Sequence, residues 1–339
     1  MSQDNGLISI ESGLSVTSNP LRCFITGCAG FVGSNLTDRL LQAGHFVCGY
    51  DNFSTGREQF LEHAQQSEKF RLIRGDVLDT LRLTDAMRDS DVVFHFAANA
   101  DVRFGLQHPG KDLEQNTVAT FNVLEAMRHN GVRQIVFSST GSIYGEPTIF
   151  PTPEDAPFPV QTSLYGASKL AGEGLIQAYC EGFDFQSYIF RFVSLLGERY
   201  THGHIVDFYA QLRAHPEYLD VLGNGHQRKS YLYVQDCIDA IFSALAHENA
   251  QAKVNIFNLG TDQVCKVNDS IGWIVEHLGL HPTIHYSGGE RGWIGDNPFI
   301  FLDCRKMRNL GWQPKLTISE GIKRTLAYLD ANSWVMQRQ

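Results

Sequence analysis

"TGCAGFVGSN", residues 26–35, sets three glycines, Gly27, Gly30 and Gly33, at intervals of three. The apolar run "LRCFITG" (21–27) reads as a buried parallel strand. "SNLTDRLLQAG" (34–44) reads as a helix, with Leu36, Leu40 and Leu41 at helical spacing and a stop at Gly44. Strand, glycine turn and helix in that order let backbone approach a ligand closely and aim a helix N-terminus at it. Such an end attracts anions. The pattern is G-x-x-G-x-x-G rather than the commoner G-x-G-x-x-G, and a glycine turn without a ligand is the competing reading. Gly27, Gly30, Phe31, Val32 and Gly33 are thus candidate contacts for a pyrophosphate.

Working outward, strands and helices alternate. "HFVCGYD" (45–51), "FRLIRGDVLD" (70–79), "DVVFHFAA" (91–98), "RQIVFSS" and "FQSYIFRFV" read as strands two to six. "LRLTDAMRDS", "NTVATFNVLEAMRHNG" (116–131) and "YGASKLAGEGLIQAYCEG" (165–182) read as intervening helices. This rhythm predicts an α/β fold with a doubly wound parallel sheet and a ligand at the strands' carboxyl ends. After about residue 194 the rhythm breaks, and a smaller mixed α/β domain is expected. The expected division is a leader over 1–20, a cofactor domain over 21–193 plus about 232–262, and a second domain over about 194–231 plus 263–332.

Asp51 ends the second strand, 24 residues after Gly27. An acid near that distance binds adenosine ribose hydroxyls and repels a 2′-phosphate, so NAD is favoured over NADP. The turn after it supplies Asn52, Ser54, Thr55 and Gly56 as further candidates, although Asp51 could simply cap that turn. Asp76 and Val77 close the third strand, where Asp76 either contacts adenine or caps a turn. Phe96, Ala97 and Ala98 close the fourth, where small residues let a cofactor pass. Asn116 and Ser138 complete the candidate cofactor set.

Composition narrows the classes. The 339 residues are 43% hydrophobic, enough for two domains, and the formal net charge of −9 comes with no Lys/Arg run. A nucleic-acid or anionic-membrane surface is not expected. No apolar run reaches the ~20 residues of a membrane span. The first 20 residues lack the basic start and apolar core of a signal peptide. Seven scattered cysteines, with no C-x-x-C pair, fit free thiols in a reducing cytoplasm. The 13 histidines include "THGH" (201–204), but no third ligand stands near it and no metal is expected.

"SLYGASKLAGE" carries Tyr165 and Lys169, four apart and so on one helix face. A free tyrosine, with pKa near ~10, is a poor base at neutral pH. A nearby ammonium and an oxidised nicotinamide would favour phenolate, which could then take a proton from a hydroxyl while hydride leaves the same carbon. Just upstream, "FSSTGSIYGE" (137–146) ends a strand in hydroxyls, Thr140 among them.

In this order, the glycine turn, Asp51, the hydroxyl strand end and the Tyr165/Lys169 pair resemble the extended short-chain dehydrogenase/reductase family, nucleotide-sugar epimerase branch. The resemblance covers roughly residues 21–330. It implies a Rossmann domain holding NAD, a carboxyl-terminal domain for a nucleotide-diphosphate sugar, and a homodimer. It makes Thr140 the hydroxyl beside the reacting centre, Tyr165 the base, and Lys169 the residue that holds the nicotinamide ribose. Related dehydratases carry an Asp–Glu pair after that threonine, and the decarboxylases keep a Glu. Here Gly141 and Ser142 stand instead, and neither is a general acid near neutral pH. Reversible hydride transfer remains, which makes 4-epimerisation through a 4-keto sugar the expected reaction.

The resemblance also nominates Ser194, Lys229 and Arg291 for the substrate, while Arg103, in a stretch expected to cross the sugar site, is either a contact to a charged sugar or phosphate or a surface residue. Ser194 and Lys229 replace the asparagine and arginine usual in the family, and Trp293 follows Arg291 where such loops are smaller. Lysine offers a point charge rather than a two-pronged fork. The base stays open among UDP, GDP, CDP and dTDP. Two other functions stay open as well: a nucleotide-sugar dehydrogenase that releases a keto sugar and NADH, and a non-catalytic NAD-binding sensor or scaffold.

Overall fold

The structure, a computed structural model, describes residues 20–100, 105, 107–158, 160–247, 251–292 and 299–337. The expected leader therefore lies outside the described residues but for its last position.

The amino half is built from β1 (Arg22–Thr26), α1 (Phe31–Gln42), β2 (Phe46–Asp51), β3 (Phe70–Arg74), α2 (Thr80–Ala86) and β4 (Val92–His95). A short helix α3 (Pro109–Asp112) and a π-helical turn (Leu113–Val118) lead into α4 (Ala119–Asn130), β5 (Gln134–Thr140), α5 (Leu164–Phe183) and β6 (Gln186–Phe192). With β11 (Val254–Leu259) these strands form one parallel sheet in the order β11-β6-β5-β4-β1-β2-β3. The order reverses between β1 and β4, which opens a crevice at the carboxyl ends of those two strands.

Both faces of the sheet are covered, so the inner strands are apolar on both sides. Ile25, Phe94, Val136 and Phe190 face α1 and α7 (Val234–Ala246). Their neighbours Phe24, Val93, Ile135 and Ile189 face α2, α4 and α5. This period-two alternation between two buried faces explains the continuous apolar runs in the sequence.

One boundary differs from the sequence reading. Helix α1 starts at Phe31, three residues before the expected Ser34. Gly33, although a poor helix former, is inside the helix, because only a residue without Cβ fits there. A Cβ would lie 2.1 Å from the Gly27 carbonyl oxygen. The first helical turn is thus pressed onto the glycine turn.

The carboxyl half adds β7 (Ser194–Leu196), α6 (His204–Ala214), β8 (Tyr218–Val221), β9 (Arg228–Lys229), β10 (Tyr231–Tyr233), β12 (Cys265–Lys266), α8 (Val267–Leu278), β13 (Thr283–Tyr286), α9 (Arg305–Asn309) and α10 (Ile318–Ala331). Its strands pair two by two, β7 with β10, β8 with β13 and β9 with β12. Ile205, Tyr209, Leu212, Ile271, Ile322 and Leu326 centre an apolar cluster separate from those on the sheet. Among the described residues no helix is long and apolar enough to cross a membrane.

Candidate active site

The glycine turn sits where the strand order reverses. Gly27 has φ +73, a left-handed conformation that favours glycine, and a Cβ there would meet Ala97 N at 2.6 Å. Gly30 N donates to Gly27 O at 3.1 Å and then serves as the N-cap of α1, with no side-chain cap from the described residues. The first-turn N–H groups at Phe31, Val32 and Gly33 have no acceptor within the helix. They form an uncapped, positively polarised end at the crevice, and the two closest approaches leave no room for larger residues. This donor set fits the pyrophosphate of a dinucleotide.

Asp51 stands beside it. Its Oδ2 accepts from Ala29 N and its Oδ1 from Phe53 N, both at 2.8 Å. Burial raises its pKa, while those two amides oppose the rise. Each oxygen keeps a second lone pair, so capping the turn and holding a ribose are compatible. Asn52 Nδ2 donates to Asp76 Oδ2 at 2.9 Å, and Asn52 Oδ1 accepts from Ser54 N. Asp76 Oδ1 also accepts from Leu78 N, so Asp76 caps its own turn. Gly56 lies against Ala29, where a Cβ would come within 2.9 Å, and Thr55 precedes it on the exposed turn. Val77 is buried under α4, with its carbonyl accepting from Asn122.

Phe96 and Ala97 leave β4 with their amides bonded to Thr26, through its backbone oxygen and its hydroxyl respectively. Ala98 follows in the same open segment. Asn116 is almost fully buried in the π-helical turn. Its amide donates to Ser168 Oγ at 2.9 Å and its oxygen accepts from Asn99 N at 2.9 Å. It holds the wall of the crevice to α5.

The fifth strand and α5 come together at the crevice. Ser163 caps α5 by accepting from Gly166 N, which places Tyr165 in the first helical turn. A helix N-terminus favours an anionic phenolate there. Tyr165 shares a hydrogen bond with Thr140, which also favours phenolate, yet burial pushes its pKa up to about 12. Lys169 is 2% exposed, its Nζ donates to the Ser138 carbonyl at 2.8 Å, and burial brings its pKa down to about 7. Ser138 Oγ donates to the His95 carbonyl at 3.3 Å. The protein alone therefore disfavours both charged forms, and ligand charge must supply the remainder.

Gly141 follows Thr140 in a single helical turn (Gly141–Tyr144). A Cβ there would lie 2.9 Å from Ile300 Cγ2. A side chain at 141 would require Ile300 to shift. Ser142 N donates to Thr140 Oγ1 at 3.1 Å, fixing the threonine hydroxyl from the other side.

The substrate candidates are spread out. Arg103, like Trp293, lies outside the described residues. Ser194 opens β7, opposite Tyr231. Lys229 sits on β9, close enough to His204 to depress its pKa, after burial as the larger cause. That imidazole contacts Tyr231 OH at 2.8 Å and Ser270 Oγ at 3.0 Å, a packing role for the "THGH" segment. Arg291 forms an ion pair with Glu146, which ties the carboxyl-terminal loop to the end of the hydroxyl stretch. Sequence reasoning missed two buried groups at this site. One is His95 beneath the glycine turn. The other is Glu173, one turn beyond Lys169, whose only signal was its i+4 spacing.

A family model, the NAD dependent epimerase/dehydratase family, matches residues 23–260. The chain belongs to this family. Its relatives include UDP-glucose 4-epimerase of Mycolicibacterium smegmatis, 32% identical over 317 residues, covering 91% of this chain and 98% of that protein. UDP-glucuronic acid decarboxylase 1 of Xenopus tropicalis is also 32% identical, over 91% of this chain and 72% of that one. A crystal structure of UDP-galactose 4-epimerase superposes with TM-score 0.84 at 38% identity, covering 93% and 100% of the two chains. NAD is the family's cofactor and is present in a solved UDP-glucose 4-epimerase of Thermus thermophilus, TM-score 0.80 at 30% identity. The fold, the family and the cofactor read from the sequence agree with these findings. The protein is an NAD-dependent enzyme of the extended short-chain dehydrogenase/reductase class.

Proposed function

We propose that this enzyme is a nucleotide-sugar 4-epimerase acting on a UDP-sugar. The observation that carries the reading is the end of β5, where Thr140 bonds Tyr165 while Gly141 and Ser142 leave no acid beside it. Bound NAD would supply the hydride acceptor and donor for oxidation and re-reduction at carbon 4 of the sugar. The glycine turn, Asp51 and Lys169 hold that cofactor. Tyr165 removes the proton from the 4-hydroxyl and later restores it. Thr140 orients that hydroxyl, with its own position fixed by Ser142 N. Lys169 supplies positive charge that favours the phenolate.

The names of the relatives support UDP over the other bases. Lys229 and Arg291 are assigned to the diphosphate, Ser194 to the neighbourhood of the phosphates, and Arg103 to a charged sugar or a phosphate. The division proposed is 21–193 plus about 232–262 for the cofactor and about 194–231 plus 263–332 for the sugar. The separate apolar cluster of the carboxyl half supports that division. A homodimer is part of the proposal, supported by exposed Leu113, Val118 and Phe121 near and on α4. The decarboxylase relatives raise a second chemistry, but Ser142 stands where that reaction needs a carboxylate.

The test is a screen of UDP-glucose, UDP-glucuronate and UDP-N-acetylglucosamine for a changed configuration at carbon 4, with absorbance of NADH followed in parallel. Epimerised product without NADH supports the proposal. Steady NADH release with every substrate replaces it with a dehydrogenase.

A further inference from the structure

Beneath the catalytic strand end lies a charged pair that the proposed reaction does not use. Glu173 is fully buried and Arg191 is 1% exposed. Arg191 grips the carboxylate with two prongs, Nε to Oε1 at 3.0 Å and Nη2 to Oε2 at 2.7 Å. Its remaining prong donates to Tyr144 OH at 2.6 Å and to the Glu154 carbonyl at 2.8 Å. Glu173 also accepts from Ser139 Oγ. Removing such ions from water is expensive, and an apolar pair of similar volume often packs at least as well. A stabilising role alone thus does not explain the pair.

Its position does. Glu173 is on α5, one turn beyond Lys169 and two beyond Tyr165. Ser139 is the residue between Ser138, whose carbonyl holds Lys169, and Thr140, which holds Tyr165. Arg191 lies on β6, directly across from Ser139 in the sheet register. The one carboxylate therefore joins the helix that carries both catalytic side chains to the strand residue flanked by both of their partners.

We propose that Glu173 is a positioning residue that sets the Tyr165–Lys169 pair against Ser138 and Thr140 and serves as the buried counter-charge of Lys169. The proposal rests on the catalytic roles assigned above. The other groups near the pair are few. His95 on β4 is buried and stays neutral, and Asp112 on α3 acts on Tyr165. Glu173 raises the Lys169 pKa against burial, which is the larger cause and lowers it.

Three variants test this. Ser139→Ala removes one hydrogen bond and keeps the ion pair, Ser139→Thr restores the hydroxyl, and Glu173→Gln removes the charge but keeps an acceptor. Folding is checked by circular dichroism and bound NAD by its release on denaturation. The readouts are kcat and KM against pH with the nucleotide sugar turned over by the wild type. The Cε resonance of Lys169 in enzyme carrying 13C-lysine, assigned by its absence in Lys169→Met, gives a measure independent of turnover. The expected results are a kcat about 10-fold lower in Ser139→Ala with KM unchanged, and recovery in Ser139→Thr. In Glu173→Gln the alkaline limb of kcat and the titration of the Lys169 resonance both move down by about 1 pH unit. If Glu173→Gln does not fold, the serine pair decides alone.

Wild-type kcat in Ser139→Ala, or a Lys169 resonance that titrates unchanged in folded Glu173→Gln, overturns the proposal. So does a kcat loss matched by an equal loss of bound NAD. A Tyr165→Phe control separates the two levels of inference. If that variant keeps full activity, the site assignment fails. If it is inactive while the Ser139 and Glu173 variants behave as wild type, only the positioning role fails.

Discussion

Part of the acid sensitivity should trace to the buried imidazole of His95. His95 is 1% exposed and packed between two threonines, Nδ1 lying 2.7 Å from Thr26 Oγ1 and Nε2 3.1 Å from Thr120 Oγ1. Thr120 spends its own proton on the Asn116 carbonyl. It must therefore accept from Nε2–H, which leaves Nδ1 accepting from Thr26; the tautomer is assigned from this network. A second ring proton has no acceptor waiting, and burial brings the pKa down to about 3 from 6.5. Below 6.5 the unfolded chain takes up a proton that the native chain refuses, so stability falls as pH drops from 6.5 toward 3. At pH 5 the loss from this group is about 2 kcal/mol, or roughly 3 °C in melting midpoint. The assay compares melting of wild type and His95→Gln at about pH 7.5 and pH 5. The wild type should lose about 2 kcal/mol more across that interval, since every other titrating group is common to both. Equal losses would show that His95 is not the proton-refusing group.

Other predictions concern the site itself. Tyr165→Phe should lower kcat by roughly 10²- to 10⁴-fold with folding and bound NAD retained, read from initial rates and cofactor content. Gly33→Ala puts a Cβ 2.1 Å from the Gly27 oxygen and should displace the glycine turn, so that the purified variant carries little NAD. Arg291→Ala should raise KM for the nucleotide sugar with kcat nearly unchanged. Its partner Glu146 and Arg291 itself are both about half exposed, so the melting midpoint should not move.

How much of this was legible in the sequence depends on how far apart the interacting residues lie. The sheet was readable because its inner strands are buried on both faces and so form apolar runs, as in Phe24–Ile25 and Val92–Phe94. The glycine turn and the Tyr165/Lys169 pair were readable because their spacing is local. The start of α1 was misplaced because Gly33 breaks the propensity pattern, and only the contact with Gly27 explains it. The Glu173–Arg191 pair crosses from helix to strand and left no periodic trace. The Glu146–Arg291 pair spans 145 residues and joins segments whose approach no local pattern records. Where a candidate was ambiguous, as with Asp76 between adenine contact and turn cap, the hydrogen bonds show the cap.

The central claim is a hydride that leaves carbon 4 and returns to it. Enzyme purified with its own NAD, given UDP-glucose bearing deuterium at carbon 4, tests it by nuclear magnetic resonance of the product. The account predicts a galactose-configured sugar that keeps its deuterium, with no NADH appearing in solution. Deuterium lost to solvent, or NADH accumulating with a keto sugar, would contradict it.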